Sequence, residues 1–517
     1  MLISPGSTDD LFILLIFIIL VISLSYLLAL FENHVFFGGQ NLVNKILMAL
    51  KMYNEEMGWG TYFISMMLVN LLVVIIAGII LVTSLYPGYH ITSSLLFNTL
   101  ASFITNTDLE HFASEFTITS YGEAFALQFL EWIAPATGLS AAIAFIRSIA
   151  YGKIGNFFKD ILSSLLLVFL PISLILSLAY IALGVPQTFL SIIKVPEPLG
   201  PISSLLPIMT LGNNGGSYYA LGSAIALQNP NILTNLVESV SMLVFPFSLF
   251  WLFGFNLKNK KEGLYLLTAS LLIFLIAFVV TMYEPLALFP FRIGQFNTKI
   301  LTTASIFSNT GLLSAPLNGL SHHALAIYIV GMAVAMAPGS IGTGFISIEV
   351  YAILAIFFIS LMSGRMPEYL NFKLNVKEIR LSSFAFLLHP ILIYAGILFA
   401  IFILPKNLFP YLGTGFTQAL WEIVSAAQNN GSDFYGVLGN TAALNYLTGV
   451  IMILGRYLFL MIGLLIANEF INKKKNQSTT KIRTDTPSFS ITLVTFIFLL
   501  VIITLLPLLV LGPMASW

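Results

Sequence analysis

Cysteine is absent from this chain, which excludes disulfides, thiolate metal sites and thiol nucleophiles. Charge is nearly as scarce. Only 9% of the 517 residues are Asp, Glu, Lys or Arg, against roughly 25% in soluble domains, too few to cover a water-facing surface. The 22 basic and 22 acidic residues cancel, so a nucleic-acid partner has no electrostatic support. No GxxxxGK[ST], HExxH or other catalytic box occurs. What is abundant is apolar: 58% of the residues are hydrophobic and the mean hydropathy is +0.95. The composition defines an all-α polytopic membrane protein, read as a single integral membrane domain over 1–517.

A crossing helix needs about 20 mostly apolar residues, because lipid offers its backbone no hydrogen-bond partner. Ten segments qualify: 11–30, 60–84, 122–147, 161–184, 235–256, 263–283, 322–362, 381–404, 441–467 and 488–511. The first follows Asp9 and Asp10 rather than a basic start, and is expected to be retained rather than cleaved. The seventh is too long for one crossing and is broken near 337–346, at Ala337-Pro338-Gly339-Ser340-Ile341-Gly342-Thr343-Gly344. With the N-terminus outside, seventeen basic residues fall in inside segments and four outside, with Arg456 within a helix. The positive-inside rule therefore predicts that both termini lie outside. The run 473–485 reads as a solvated inside loop, with lipid headgroups as its alternative contact.

Four outside connections share an organisation: a short apolar stretch, a small polar cluster, then another crossing. The clusters are Thr105-Asn106-Thr107-Asp108, Gly212-Asn213-Asn214-Gly215-Gly216-Ser217, Ser308-Asn309-Thr310-Gly311 and Gln428-Asn429-Asn430-Gly431-Ser432. With Asn106, Asn214, Asn309 and Asn430 as markers, the unit repeats every 95 to 121 residues. One Asn-Gly cluster is an ordinary turn. Four on one side, each after a segment too short to span, suggest re-entrant loops around a pore. Carbonyls turned to one side by glycine, with half-helix carboxyl ends behind them, suit a dehydrated monovalent cation. Asp108, Glu110 and Asp433 would sit at the pore mouth; Glu115 reads equally as an ordinary loop carboxylate.

At these loops the sequence resembles the KdpA family, the potassium-binding subunits of the bacterial and archaeal Kdp pump. The resemblance covers nearly the whole chain. It rests on Glu56-Met57-Gly58-Trp59, Ser102-Phe103-Ile104-Thr105-Asn106-Thr107, Asn214-Gly215-Gly216, Gly364-Arg365-Met366-Pro367-Glu368-Tyr369-Leu370 and Ala426-Ala427-Gln428-Asn429-Asn430-Gly431-Ser432. It implies four helix–pore half-helix–loop–helix repeats, 60–147, 161–256, 263–362 and 381–467, with extra helices at 11–30 and 488–511. It also implies a potassium filter of Thr105, Asn106 and Thr107; Asn213, Asn214 and Gly215; Asn309, Thr310 and Gly311; and Asn429, Asn430 and Gly431. Potassium would be the transported substrate, with no organic cofactor. ATP would be used by a KdpB-type P-type ATPase subunit, with KdpC- and KdpF-type subunits completing a plasma-membrane complex. The chain departs from the family where TNTNWQ becomes Thr105-Asn106-Thr107-Asp108-Leu109-Glu110, where TNGGGFF becomes Asn213-Asn214-Gly215-Gly216-Ser217-Tyr218-Tyr219, and at Asp433. A more negative outer mouth is the expectation.

Arg456 is an intramembrane charge, read as a fixed positive barrier beneath the filter or as a structural residue bonding a pore-loop carbonyl. The break containing Pro338, Gly339, Gly342 and Gly344 is read as a plug or as a kink packed on its neighbours. Glu238 and Glu349 are candidate pathway acids. His322 and His323 are adjacent rather than four apart, and His34, His90, His111 and His389 are scattered, so structural or interfacial roles are expected. Two other functions compete. An autonomous gradient-driven channel or symporter of the Trk/Ktr type shares the repeat plan, but Gly364–Leu370, Arg456 and ten crossings oppose it. A membrane enzyme would need convergent catalytic groups at membrane depth, and the sequence offers none.

Overall fold

The apolar runs become fifteen helices of ten or more residues in the computed structural model, which describes residues 8–39, 42–49, 56–189, 199–284, 293–334, 340–403, 414–471, 473–474 and 482–516. Ten are long and apolar enough to cross a membrane. We number them with the shorter ones in chain order. Helix α1 is Thr8–Phe37. Next come α2 (Trp59–Thr83), α3 (Ser93–Ile104) and α4 (Ser120–Tyr151). Then α5 (Phe157–Ala182), α6 (Ile202–Leu211) and α7 (Ile232–Asn256) follow. The third group is α8 (Lys260–Met282), α9 (Gln295–Phe307), α10 (His322–Val334) and α11 (Thr343–Ser363). The last are α12 (Val376–Ile403), α13 (Thr414–Ala427), α14 (Ala442–Ile471) and α15 (Pro487–Leu511). Short helices and turns fill several connections.

The order long helix, short helix, loop, long helix therefore occurs four times, flanked by α1 and α15. The short helices α3, α6, α9 and α13 have 12, 10, 13 and 14 residues. At about 1.5 Å per residue they are roughly 15–21 Å long, short of the ~30 Å hydrocarbon core. Burial sorts the long helices into two shells. In α4, α7, α11 and α14, the second long helix of each group, 67 to 89% of the apolar stretch is buried, against 22 to 50% in the other six. The inner four surround the centre, and the outer helices turn Leu, Ile and Val outward, as a lipid-facing surface requires.

Helix α1 is held to α7 by polar as well as aromatic contacts. The Ser248 hydroxyl donates to Glu32 Oε2 at 2.8 Å, Asn256 Nδ2 donates to Asn33 Oδ1 at 3.0 Å, and Tyr26 packs edge-on against Trp251. Helix α15 is fastened to α8 by the Ser490 hydroxyl, which donates to the Tyr265 carbonyl at 2.7 Å. The seventh crossing is two helices, α10 and α11. Pro338 and Gly339 lie outside the described residues; Gly342 and Gly344 lie within them. Phe345, just after the break, sits among Phe145, Phe250 and Phe253, so the break is wedged between α4 and α7.

The end of Gly364–Leu370 folds into a hairpin with the residues that follow, strands β1 (Glu368–Tyr369) and β2 (Phe372–Lys373), with Tyr369 and Phe372 buried. Leu370 and Asn371 both have positive φ, the geometry of a two-residue hairpin turn. The Tyr369 hydroxyl donates to Glu349 Oε2 at 2.8 Å. Glu349 thus anchors the hairpin to α11, and Glu238 accepts from the Ser223 hydroxyl at 2.6 Å in the α6–α7 connection.

Candidate ion-binding filter

Each short helix ends in the same way, and the ending builds the site. At Asn106, Asn213, Asn309 and Asn429 the backbone turns left-handed, with φ of 60°, 52°, 49° and 53°. Asn is the side chain that best tolerates this conformation after Gly. The N–H of each Asn returns to the carbonyl three back, on Phe103, Thr210, Ile306 and Ala426, at 3.2–3.3 Å. The next N–H returns to the carbonyl five back, on Ser102, Met209, Ser305 and Ser425, at 2.8–3.1 Å. These are four Schellman caps. They stop the helices with their negative carboxyl ends directed at the loops.

Two residues further on, the chain is left-handed again at Asp108, Gly215, Gly311 and Gly431. This corrects the register read from the sequence. Asn213 and Asn429, not Asn214 and Asn430, are equivalent to Asn106 and Asn309, so the copies are 107, 96 and 120 residues apart. Asp108 stands in loop 1 where the other three loops have glycine.

The four loops close into a ring. Asn106 Nδ2 of loop 1 donates to the Gly212 and Asn213 carbonyls of loop 2, at 3.1 and 2.6 Å. Asn213 Nδ2 donates to Thr310 Oγ1 of loop 3 at 3.0 Å. Asn430 Nδ2 of loop 4 donates to Asn309 Oδ1 of loop 3 at 3.1 Å, and Asn429 Nδ2 donates to Thr107 Oγ1 of loop 1 at 2.9 Å. The glycines fit the same order. A Cβ on Gly215 would overlap the Thr310 carbonyl oxygen, one on Gly311 the Asn430 oxygen and one on Gly431 the Thr107 oxygen. All twelve residues expected at the filter are thus brought together, buried except for a partly exposed Gly311.

Outside the ring lies an open vestibule of about 450 Å³, lined among others by Asp108, Glu110, Gly216, Gly311, Gly431 and Asp433. Asp108 is 2% exposed and neither carboxylate oxygen has a hydrogen-bond partner among the described residues. Burial, then the charges of Glu131, Glu110 and Glu123, push its carboxyl well above the usual range. Glu110 is raised likewise, first by burial and next by Glu123, although Ser217 N donates to its Oε1 at 3.0 Å. Burial thus works against the charged form of both acids at the mouth. Glu131 was not singled out from the sequence, yet it is fully buried and its carbonyl accepts from Asn214 Nδ2 at 2.7 Å. An acid within the third crossing segment is the signal that could have found it.

Beneath the ring, Arg456 is 2% exposed. It donates at 3.3 Å to Ser340 Oγ, Thr343 Oγ1 and the Ala134 carbonyl. All three acceptors are neutral, and no carboxylate lies within ion-pair distance among the described residues. Ser340 also accepts from Asn106 Nδ2 at 3.4 Å, which joins the filter, the break and Arg456 in one network. Gly342 has φ +82°, and a Cβ there would overlap the Gly138 carbonyl oxygen. The break is packed against α4 through this contact.

Ten apolar helices among the described residues, with four shorter helices ending on one ring of Asn and Gly loops, define an all-α membrane protein. The family model described as KdpA, potassium-transporting ATPase A subunit, matches residues 11–517, and the chain belongs to that family. It is 29% identical to a potassium-transporting ATPase potassium-binding subunit of Thermoplasma acidophilum over the whole of this chain and 95% of the relative. Proteins of the same name from Thermoplasma volcanium and Geobacillus kaustophilus are each 32% identical, over 90% of this chain and 85% and 89% of theirs.

Proposed function

We propose that the chain is the potassium-binding subunit of an ATP-driven uptake pump in the plasma membrane of a bacterium or archaeon, with both termini outside. The observation that carries this reading is the closed ring of four Schellman-capped loops, in a member of the KdpA family. Potassium enters from the vestibule and exchanges water for backbone carbonyls of Thr105–Thr107, Asn213–Gly215, Asn309–Gly311 and Asn429–Gly431. The left-handed Asn and Gly positions turn successive carbonyls, and the half-helix ends add partial negative charge.

Below the filter, Arg456 and the Ser340–Gly344 segment oppose passage straight through. The ion leaves sideways to a KdpB-type P-type ATPase subunit, which uses ATP, with KdpC- and KdpF-type subunits completing the complex. This chain carries out no covalent step. Its task is selection and delivery.

The raised Asp108 carboxyl gives the account a pH signature. Its charge appears only as the pH climbs through a value above the ordinary carboxylate range, so potassium capture strengthens with rising pH. Asp108→Asn removes that charge. It should flatten the pH dependence and cost roughly fivefold in half-saturating potassium at high pH, for a loss of about 1 kcal/mol. Potassium-stimulated ATPase of the complex, titrated from pH 6 to about pH 9, is the measurement. Parallel curves for both proteins would remove Asp108 from the entry path.

A further inference from the structure

We propose that the seam between loops 1 and 4 holds a divalent first-row metal ion, Zn²⁺ by preference, ligated by His111 Nε2, Glu422 and Asp433. The three side chains come from three places: the connection after loop 1, helix α13 and the connection after loop 4. Their ligand atoms all lie within 4.8 Å of one another. His111 and Glu422 are fully buried, with Nε2 2.9 Å from Glu422 Oε1.

The surroundings are arranged as a metal site requires. The other ring nitrogen, Nδ1, is 2.6 Å from Asn445 Oδ1. Both donors of the Asn445 amide are directed elsewhere, at Ser94 Oγ and Asn440 Oδ1, so Oδ1 is the acceptor and Nδ1 carries the proton. Nε2 faces Glu422 Oε1 at 2.9 Å and shares a proton with it that a metal ion would displace, while the outer hydrogen bond at Nδ1 orients the ring as in a metal-binding imidazole. Gly439 makes room for the ring: a Cβ there would come within 2.7 Å of His111 Cδ2.

A divalent cation held by a neutral imidazole and two carboxylates leaves no net charge in a buried site. Asp433 supplies the open acceptor. Its Oδ1 takes the N–H groups of Tyr435 and Gly436, at 2.7 and 2.8 Å, but Oδ2 is buried and receives no hydrogen bond among the described residues. Asp433 lines the vestibule, which gives the ion its route in. One imidazole and two carboxylates leave a fourth position for water, a donor set that suits Zn²⁺. The bound ion would brace the same seam that Asn429 and Thr107 join deeper in the filter.

The test is metal content, a readout that does not depend on transport. The complex is purified in mild detergent, stripped with EDTA, desalted and titrated with Zn²⁺, and bound zinc is measured by mass spectrometry. The wild type should retain about one Zn²⁺ per chain. His111→Gln and Asp433→Asn should lose it, and Asn445→Ala should weaken it roughly 10–100-fold. Asp433→Asn decides the matter if His111→Gln does not fold, because Asp433 is at the vestibule wall. No stoichiometric zinc in the wild type, or equal zinc in Asp433→Asn, overturns the proposal.

Discussion

Replacing Gly215 by alanine is expected to raise the half-saturating potassium concentration by about 100-fold or more. A single methyl does this through two costs. The left-handed conformation costs a residue with a Cβ about 1–2 kcal/mol, and Gly215 has φ +80°. The methyl would also overlap the Thr310 carbonyl oxygen of the next loop, which must move away from the position proposed for it in ion coordination. Each 1.4 kcal/mol is about tenfold in affinity, so a displacement worth about 3 kcal/mol gives the stated loss. Gly311→Ala and Gly431→Ala press on the Asn430 and Thr107 carbonyl oxygens and should behave alike. Gly364→Ala is the control. That glycine also has positive φ, but nothing lies within 4 Å of the added Cβ. It should lose stability without losing potassium affinity. Titration of ATPase activity with potassium separates the two, and a Gly215→Ala protein within twofold of wild type would contradict the ring of carbonyls.

Arg456→Met should convert a coupled subunit into a leaky one. The guanidinium is buried among neutral acceptors, so its positive charge is not cancelled locally and, in the proposed pathway, opposes a cation leaving the filter downward. Two unit charges at 4 Å and an effective dielectric of about 20 interact by about 4 kcal/mol. Even half of that, about 2 kcal/mol, is roughly thirtyfold in passive flux. Methionine fills a similar volume without charge, while Arg456→Lys keeps the charge and should keep most of the barrier. Potassium entry into liposomes without ATP is the measurement. Tight liposomes with Arg456→Met would make Arg456 a packing residue only.

The parts of this architecture that follow from solvent were legible in the sequence. Ten crossings and four half-helices are dictated by lengths of apolar chain, and each segment read there overlaps a helix found in the structure. The register of loops 2 and 4 was missed by one residue because each carries an Asn doublet, Asn213-Asn214 and Asn429-Asn430. Which Asn turns left-handed is decided by where the helix ends. The glycine two positions later, at 215, 311 and 431, marks it, and Asp108 hides the pattern in loop 1.

Side-chain networks were less legible. The bond from Arg456 to Ser340 joins α14 to the break before α11 across 116 residues, and His111 meets Glu422 across 311 residues. No spacing rule reaches that far. The scattered histidines gave no hint that one of them faces two carboxylates. Glu131 was different, since an acid inside an apolar crossing is conspicuous on its own.

The most direct test is the ATPase activity of the complex that co-purifies with this chain in mild detergent, titrated separately with potassium and sodium. A potassium-binding subunit predicts stimulation by potassium at concentrations where sodium does nothing, lost in Gly215→Ala. If no ATPase accompanies the chain, and the chain alone carries potassium into liposomes, the pump-subunit account is contradicted and an autonomous transporter takes its place.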